Sequence, residues 1–459
     1  MRAASILQDL LSSLFDGRTF SASLFRDAPI EDLCRELLSS KGEVATNKIA
    51  AYVLAAYRQL DDAGKKRFFE YLNNDLDLNA DEIIAAAEVY RDKADAESLG
   101  KLTEVAEPRR QELFRRLNHV QGATAEIVAM RTDLLDMLKT DPALKRTDLD
   151  LRHLLFSWFN RGFLVLRQIS WSTPANILEK IIKYEAVHAI NDWDDLRRRL
   201  QPADRRCFAF FHPAIPDDPL VFVEVALVKG TPGSIQDVLS ESREPMEPGA
   251  ADTAVFYSIS NCQVGLRGIS FGNSLIKQVA EDLSRDLPHI KNFVTLSPVP
   301  GFNKWLATVD ATEDPSAADL LTAAEASAKA GVMIDDLEAL SDQARGLCAR
   351  YLTMEKRGDG MPLDPVARFH LGNGAMLHAV HAGADTSKNG LKQSSGVMVN
   401  YLYDLRYVEA SHEAFVADGV VNAADSVHSL ARKHMKKTAK NAETKTREAK
   451  SAKTEEAGA

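Results

Sequence analysis

The stretch TAVFYSISNCQVGLRGISFGNSLIKQVAEDLSRDLPHIKNFVTL, residues 253–296, decides the fold. Its two ends, 253–260 and 292–296, are short and rich in β-branched and aromatic residues, a composition typical of strands. Between them, apolar residues recur with the spacing of one helical face, at Leu275, Ile276, Val279 and Leu283. The order strand, glycine-containing turn, helix, strand predicts a βαβ-like unit within a mixed sheet.

Two further strands are predicted before this unit. Residues 206–211 (RCFAFF) are short, apolar and aromatic, and residues 219–229 (PLVFVEVALVK) are rich in β-branched side chains. Both runs have the composition of strands. We therefore expect the sheet to begin well before residue 253.

The chain before about residue 161 is predicted to be helical. From Gln111 to Lys139, apolar residues recur at three-, four- and seven-residue steps, and Gly122 is a candidate interruption. Alanine-rich segments at 48–60 and 80–90 follow the same pattern. No reactive side chains gather in this region, so we interpret it as a helical packing or oligomerisation domain.

These patterns predict an α+β protein in three parts. Residues 1–160 form an all-helical domain, and residues 161–431 form a mixed-sheet domain. Residues 432–459 are dominated by Lys, Ala, Thr and Glu, and such a composition buries too little apolar surface to order itself. We predict a solvated, disordered tail there, with weak surface or nucleic-acid contact as the lesser alternative.

Composition and charge argue against several classes of protein. A net charge of -10 disfavours a nucleic-acid binder, which would usually carry a basic domain. The chain lacks an uninterrupted run of about 20 apolar residues, so we expect no membrane span. The four cysteines lie far apart without a CxxC spacing, so we expect no metal site and no disulfide framework. A reducing compartment, the cytoplasm, fits this cysteine usage.

The turn between the strand and the helix is a candidate anion site. It comprises Arg267, Gly268, Ile269, Ser270, Phe271, Gly272 and Asn273. Such a turn points backbone N–H groups outward at the positive end of the helix dipole, which suits phosphates. The guanidinium of Arg267 adds further donors. An ordinary turn without a ligand remains the alternative.

This turn resembles motif A of the GCN5-related N-acetyltransferases (GNAT), which reads Arg/Gln-x-x-Gly-x-Gly/Ala and grips the pyrophosphate of coenzyme A. Arg267 fits the first position of the motif and Gly272 the last. Ser270 stands where the motif has its first glycine, so a small residue is kept at that position. The resemblance implies a GNAT-like sheet domain.

Two more segments carry candidate catalytic side chains. Ser297 lies in residues 295–306 (TLSPVPGFNKWL), which read as a rigid turn at the end of a strand, with a Ser-Pro helix start as the alternative. His370 lies just before a Gly-Asn-Gly turn in residues 368–374 (RFHLGNG). On spacing alone, four other histidines are rivals: His188, His212, His378 and His381.

Together these segments resemble the malonyl-CoA decarboxylase family. The similar stretches run in order through most of the C-terminal two thirds: YEAVH (184–188), RRCFAFFHP (205–213), PLVFVEVAL (219–227), FYSIS (256–260), SFGNSLIK (270–277), TLSPVPGFNKWL (295–306), VARFHLGNGA (366–375) and GVMVNY (396–401). The pair TLSPVPGF and RFHLGNGA is highly specific.

The resemblance implies a helical oligomerisation domain followed by a GNAT-like catalytic domain. It implies that the protein is a homo-oligomer, a dimer or a tetramer. It also implies that Ser297 and His370 act in catalysis and that both, with the turn 267–273, bind malonyl-CoA.

The chemistry of malonyl-CoA is consistent with these roles. Loss of CO2 leaves an enolate whose charge the thioester oxygen holds, so no cofactor or metal is needed. We predict that His370, with an ordinary imidazole pKa of about 6.5, protonates the enolate carbon. Ser297 would orient the malonyl carboxylate or assist proton transfer. The alternatives are Ser297 as an acylated nucleophile, an acyl- or acetyltransferase using the same site, and a non-catalytic regulator that binds coenzyme A.

Overall fold

The computed structural model describes residues 28–39, 42–269, 275–312 and 314–438. These residues fall into two compact units. The first unit contains the described residues up to Phe163 together with two short segments, 212–216 and 263–269. The second unit contains the others. A single division at residue 160 therefore leaves out two segments that cluster with the helical part.

Helices build the first unit. They are α1 (Ile30–Ser39), α2 (Glu43–Gln59), α3 (Asp62–Asn74), α4 (Ala80–Lys93), α5 (Ala96–Val105), α6 (Arg109–Leu117), α7 (Ala123–Met137) and α8 (Lys145–Trp158). Asp61, Asn79 and Asp95 accept backbone N–H groups at the starts of α3, α4 and α5 and satisfy donors that would otherwise lack partners. Gly122, at φ +81°, separates α6 from α7, so the predicted interruption is confirmed.

A mixed sheet forms the centre of the second unit. Its strands are β1 (Val165–Ile169), β2 (Arg205–Phe211), β3 (Val221–Val228), β4 (Thr253–Asn261), β5 (Asn292–Thr295), β6 (Ser297–Pro298), β7 (Met376–His381) and β8 (Met398–Leu402). The order across the sheet is β1-β2-β3-β4-β5-β8-β6, and β7 pairs with β8. The strands predicted from composition are confirmed.

The helices of the second unit lie between these strands in sequence. They are α9 (Ala175–Tyr184), α10 (Trp193–Leu200), α11 (Ile235–Leu239), α12 (Leu275–Asp286), α13 (Phe302–Leu306), α14 (Pro315–Ala330), α15 (Asp335–Ala339), α16 (Ser341–Met354), α17 (Pro365–Gly372), α18 (Lys388–Ser394) and α19 (Val408–Asp418). A further helix, α20, covers residues 425–438.

The predicted βαβ unit is confirmed. β4 and β5 pair in parallel, from Thr253 beside Asn292 to Phe256 beside Thr295, and α12 lies between them in sequence. The apolar stripe of α12, which includes the fully buried Val279, packs in the main core with residues from β3, β4 and β5. The α+β class, helices followed by a mixed sheet, is therefore confirmed.

The C-terminal segment is ordered further than its composition suggests. We predicted a disordered tail from residue 432, but residues 432–438 continue α20. His434 on this helix is buried and lies 2.6 Å from the Asp314 carboxylate. An apolar face that packs through Val427 and Ala431 explains the difference, and the remaining residues, 439–459, lie outside the described residues. No helix in the described ranges is long and apolar enough to span a membrane.

Candidate functional site

Ser297 stands where strand β5 has just ended. The Leu296 N–H donates to the Phe256 carbonyl over 3.0 Å. Two residues later, Pro298 has no N–H with which to continue the pairing. Ser297 and Pro298 pair instead with β8. Helix α13 begins only at Phe302, so Ser297 is not a helix N-cap. Its side chain is buried at the end of the strand.

His370 lies in the last turn of helix α17. At the other end of this helix, Asp364 Oδ1 accepts the N–H groups of Val366 and Ala367, both over 2.9 Å. Pro365 takes the first helical position, where a missing N–H has no consequence. The helix therefore starts at a defined residue, and His370 is presented to the interior with 2% of its surface exposed.

A chain of hydrogen bonds joins the two candidate side chains. Ser297 Oγ lies 3.0 Å from His370 Nε2. His370 Nδ1 lies 2.8 Å from the hydroxyl oxygen of Tyr403. At the other end of the chain, Ser297 Oγ donates to Thr295 Oγ1 over 2.8 Å. The fold thus brings together two residues that are 73 positions apart in sequence.

We assign the tautomer of His370 from the hydrogen-bond partners along this chain. Ser297 has one hydroxyl hydrogen and directs it to Thr295, so toward His370 it accepts. The ring proton is therefore on Nε2, and Nδ1 accepts from Tyr403. Within the described ranges the Tyr403 hydroxyl has no other hydrogen-bond partner. Protons are donated in the order Tyr403, His370, Ser297, Thr295.

Tyr401 packs against the same chain. Its ring stacks on the His370 imidazole, with centroids 4.5 Å apart and 23° between the planes. Its backbone N–H donates to Thr295 Oγ1 over 3.1 Å. Tyr401 and Tyr403, two residues apart at the end of β8, therefore hold His370 by its face and by Nδ1. The stacking fixes the plane of the ring, and the hydrogen bond fixes its rotation.

Burial determines the charge of this site. It lowers the pKa of His370 from 6.5 to about 3, because the charged imidazolium is poorly solvated in the interior. Burial also raises the pKa of Tyr403 well above its ordinary value. Near pH 7 both groups are therefore neutral in the free protein. The expectation of an ordinary imidazole pKa at His370 is wrong, since the sequence does not reveal its burial.

Part of the candidate anion turn can be located. Arg267, Gly268 and Ile269 belong to the described residues of the first unit, with the Arg267 side chain exposed. Gly268 has φ +78°, a conformation that favours glycine. The other predicted members of the turn lie outside the described residues: Ser270, Phe271, Gly272 and Asn273.

The segment before this turn is anchored by residues that the sequence did not indicate. Buried Arg131 of helix α7 donates to the carbonyls of Gly265 and Arg267 over 2.7 and 2.9 Å. A Cβ on Gly265 would lie 1.9 Å from the Val128 carbonyl oxygen, so only glycine fits. These contacts fix the backbone position of Arg267 within the first unit, while its side chain is exposed.

The rival histidines have other surroundings. His212 Nε2 lies 3.0 Å from the Trp158 carbonyl, and His381 Nε2 lies 2.5 Å from Asn400 Oδ1. His188 and His378 each carry a buried ring nitrogen without a partner among the described residues. Of the histidines in the described ranges, His370 is the one that hydrogen-bonds to Ser297.

Two of the stretches quoted above meet at a buried carboxylate. Glu185, in YEAVH, accepts the Ser258 hydroxyl over 2.7 Å and the Ser260 hydroxyl over 3.2 Å. Both serines belong to FYSIS on β4. The carboxylate therefore ties the end of α9 to the part of β4 that continues beyond its pairing with β5. We interpret this cluster as structural support for the strand.

Comparison with known proteins gives consistent results. Residues 77–159 match the family described as malonyl-CoA decarboxylase N-terminal domain, and residues 162–443 match the malonyl-CoA decarboxylase C-terminal domain. The chain is 37% identical over 351 residues to mitochondrial malonyl-CoA decarboxylase of Anser anser anser, covering 70% of this chain and 69% of the relative.

Solved structures with the same description are also similar. The malonyl-CoA decarboxylase of Agrobacterium vitis is 48% identical with a TM-score of 0.81, over 88% of this chain and 100% of that one. The malonyl-CoA decarboxylase of Rhodopseudomonas palustris is 49% identical with a TM-score of 0.80, over 87% and 98% of the respective chains.

Proposed function

The chain belongs to the malonyl-CoA decarboxylase family, and on that premise we propose that it converts malonyl-CoA to acetyl-CoA and CO2 through Ser297 and His370. The observation that carries the proposal is the buried pair itself, with 3.0 Å between Ser297 Oγ and His370 Nε2. A non-catalytic regulator would have no need of this contact, and an acyltransferase would need an acceptor substrate as well.

The reaction requires little chemistry from the protein. The C–C bond to the carboxylate breaks, CO2 leaves, and the electron pair is held by the thioester as an enolate. We propose that no cofactor or metal takes part, and that coenzyme A enters only as part of the substrate. One proton must then reach the enolate carbon, and the protein has to supply it.

His370 is the proposed proton donor. Its Nε2–H, which Ser297 accepts in the free protein, is transferred to the enolate carbon to give the methyl group of acetyl-CoA. Nδ1 takes the hydroxyl proton of Tyr403 in the same step, so the imidazole stays neutral. Nδ1 then returns that proton to the Tyr403 oxygen while Nε2 takes a proton from solvent, which restores the starting tautomer. The imidazole therefore never carries the positive charge that its burial disfavours, and the negative charge that burial also disfavours lies on Tyr403 only until the proton returns.

Ser297 has the proposed role of orienting the reacting groups. In the free protein its hydroxyl hydrogen is directed to Thr295 rather than to His370. A serine nucleophile needs a base that takes its proton, and in the tautomer assigned above His370 Nε2 already carries a proton. The geometry therefore favours a serine that holds Nε2–H, and later the malonyl carboxylate, in position.

A direct assay tests the proposed function. Purified protein, treated with EDTA and freed of small molecules, is mixed with malonyl-CoA and no acceptor. We expect equal amounts of CO2 and acetyl-CoA. Product that forms only after an acceptor amine or thiol is added would favour an acyltransferase, and loss of activity after EDTA treatment would contradict the metal-free mechanism.

The low pKa of His370 predicts a distinctive titration. The pKa of His370 is about 3 in the folded state and 6.5 in its ordinary state, so the unfolded chain binds the proton first as the pH falls. The contribution of His370 to the free energy of unfolding therefore decreases below pH 6.5. We expect the ring nitrogen NMR signals of ¹⁵N-histidine protein, assigned with His370→Gln, to stay in the neutral form from about pH 8 to about pH 5. A midpoint near the ordinary value would contradict a neutral donor.

The phosphates of coenzyme A are proposed to bind at the turn 267–273. Removing the exposed guanidinium with Arg267→Ala should raise KM about tenfold with little change in kcat, because phosphate contacts are the same in ground and transition states. Steady-state kinetics checks this, with Arg91→Ala as a control at an exposed arginine of helix α4. A fall in kcat at constant KM would exclude the proposed role.

The assembly and compartment follow the same premise. We propose a homo-oligomer, a dimer or a tetramer, through the helical part, which exposes Ile84, Val89 and Leu99 on α4 and α5. We also propose a cytoplasmic location, because the four cysteines are all unpaired and buried, as is usual in a reducing compartment.

A further inference from the structure

The carboxylate of Asp364 connects the two segments that carry the proposed catalytic side chains. Its Oδ1 caps helix α17, on which His370 lies six residues further on. Its Oδ2 accepts the N–H of Gly301 over 3.2 Å. Gly301 ends the five-residue segment that begins at Ser297. Asp364 is 1% exposed, so its carboxylate is buried between the two segments.

Each of the two segments is stiff between its anchor and its catalytic residue. Between Ser297 and Gly301 lie Pro298 and Pro300, whose rings fix φ. Between Asp364 and His370 lies a continuous helix that starts at Pro365. A displacement at the anchor is therefore transmitted to the catalytic residue rather than absorbed along the way.

Gly301 is so closely packed that no side chain fits between it and its neighbours Tyr351 and Asp364. A Cβ at this position would lie 2.2 Å from the Tyr351 hydroxyl oxygen and 3.3 Å from Asp364 Oδ2. The backbone itself is ordinary, with φ -88°, so the restriction is one of space and not of conformation. A side chain at residue 301 would have to push Tyr351 or Asp364 away.

We propose that Asp364 is a positioning residue that sets the contact between Ser297 Oγ and His370 Nε2, by fastening the N-terminus of α17 to the backbone at Gly301. The proposal rests on the function proposed above. Asp364 does not touch the reacting atoms, and it acts through the two segments that it joins. Without the bond from the Gly301 N–H to Asp364, Ser297 and His370 would each remain in a folded segment. The distance between Ser297 Oγ and His370 Nε2 would no longer be fixed.

Asp364→Asn separates this role from helix capping. An asparagine oxygen caps a helix about as well as an aspartate oxygen, but its amide nitrogen cannot accept the Gly301 N–H. Burial raises the pKa of Asp364, so removing the charge also removes a cost of burying it, and the variant should fold. We expect kcat to fall about 100-fold, as for a misplacement of about 1 Å, with KM nearly unchanged.

A matched substitution controls for a merely structural effect. Asp314 is similarly buried, and its carboxylate pairs with the His434 imidazole rather than with Ser297 or His370. Asp314→Asn should lower the melting temperature at least as much as Asp364→Asn and keep kcat within about twofold. Equal losses of kcat in both variants would overturn the proposal, because the effect would then come from stability alone.

Two further variants disturb the hydrogen bond between Asp364 and Gly301 at its Gly301 end. Gly301→Ala should reproduce the loss of kcat, because its Cβ displaces the Tyr351 hydroxyl and Asp364. Adding Tyr351→Phe removes that hydroxyl, which is the contact at 2.2 Å, and leaves only the contacts at 3.3 and 3.4 Å, so the double variant should recover part of the activity. Crystal structures of Asp364→Asn and Gly301→Ala should show Ser297 Oγ and His370 Nε2 further apart than 3.0 Å.

The outcomes distinguish this proposal from the proposed function. Full activity in Asp364→Asn, with an inactive His370→Gln, removes the positioning role and leaves the function intact. Full activity in both variants removes the proposed role of His370 as well. No rescue by Tyr351→Phe, together with an unchanged distance between Ser297 and His370 in the crystal structures, would also overturn the positioning role.

Discussion

Replacing His370 with glutamine is expected to lower kcat about a thousandfold, within the usual range for loss of a proton-transferring side chain. Glutamine keeps an N–H donor of similar reach, so the hydrogen bond to Ser297 can persist. It cannot give up that proton to carbon and take another at Nδ1. Single-turnover measurement of CO2 and acetyl-CoA would show the loss, which corresponds to about 4 kcal/mol in the activation free energy.

The control for this variant is His434→Gln. His434 is also buried, and its ring pairs with Asp314 over 2.6 Å, so its loss measures what an interior imidazole contributes to folding. We expect normal kcat in this variant and a lower melting temperature. Coenzyme A binding, measured by calorimetry, should be unchanged in His370→Gln. Retention of more than a tenth of wild-type kcat in His370→Gln would exclude proton donation by this residue.

The fold could be predicted largely from sequence because its signals are local. Each pattern reflects the secondary structure of its own segment: the β-branched run at 253–260, the apolar stripe of residues 275–283 and the run at 292–296. Gly122 could be predicted as a helix break for the same reason. The order of the sheet, in which β8 lies between β5 and β6, depends on contacts distant in sequence, and no local pattern contains it.

The candidate site could be predicted only in part. Ser297 and His370 were identified through the resemblance of their segments to a known family, and their pairing was not visible in the spacing. Tyr403 lies outside the quoted stretches, and Thr295 begins one of them without a role assigned to it, because the roles of both come from the register that places them beside His370 and Ser297. The low pKa of His370 results from burial, which is a property of the packed core.

For Asp364, the sequence predicts one of its two hydrogen-bonding roles and not the other. Asp364-Pro365 before an apolar helix is an ordinary sequence signal for a helix start, and it explains one of the two oxygens. The second oxygen binds the backbone of Gly301, 63 residues earlier. A sequence pattern can thus identify a cap, while the structure shows what else the cap holds.

Replacing Ser297 with alanine is expected to lower kcat about 100-fold, less than the loss of His370, because the proton donor remains but its Nε2–H is no longer held. The imidazole keeps its stacking on Tyr401 and its bond to Tyr403, so the ring should stay in place. The Nε2–H, however, no longer has an acceptor that orients it. Steady-state kinetics with malonyl-CoA measures this, and KM should change little if the hydroxyl acts mainly in the transition state.

Ser394→Ala is the matched control, since Ser394 is a buried serine of the second unit that bonds only to the carbonyls of Gly390 and Val397 within the described residues. Its kcat should match that of the wild type. Intact-protein mass spectrometry of wild-type enzyme, quenched during turnover, separates the two roles considered for Ser297. If Ser297 orients His370 Nε2–H rather than attacking the thioester, no acyl group should accumulate. An acyl adduct on Ser297 would establish a nucleophile and refute the orienting role.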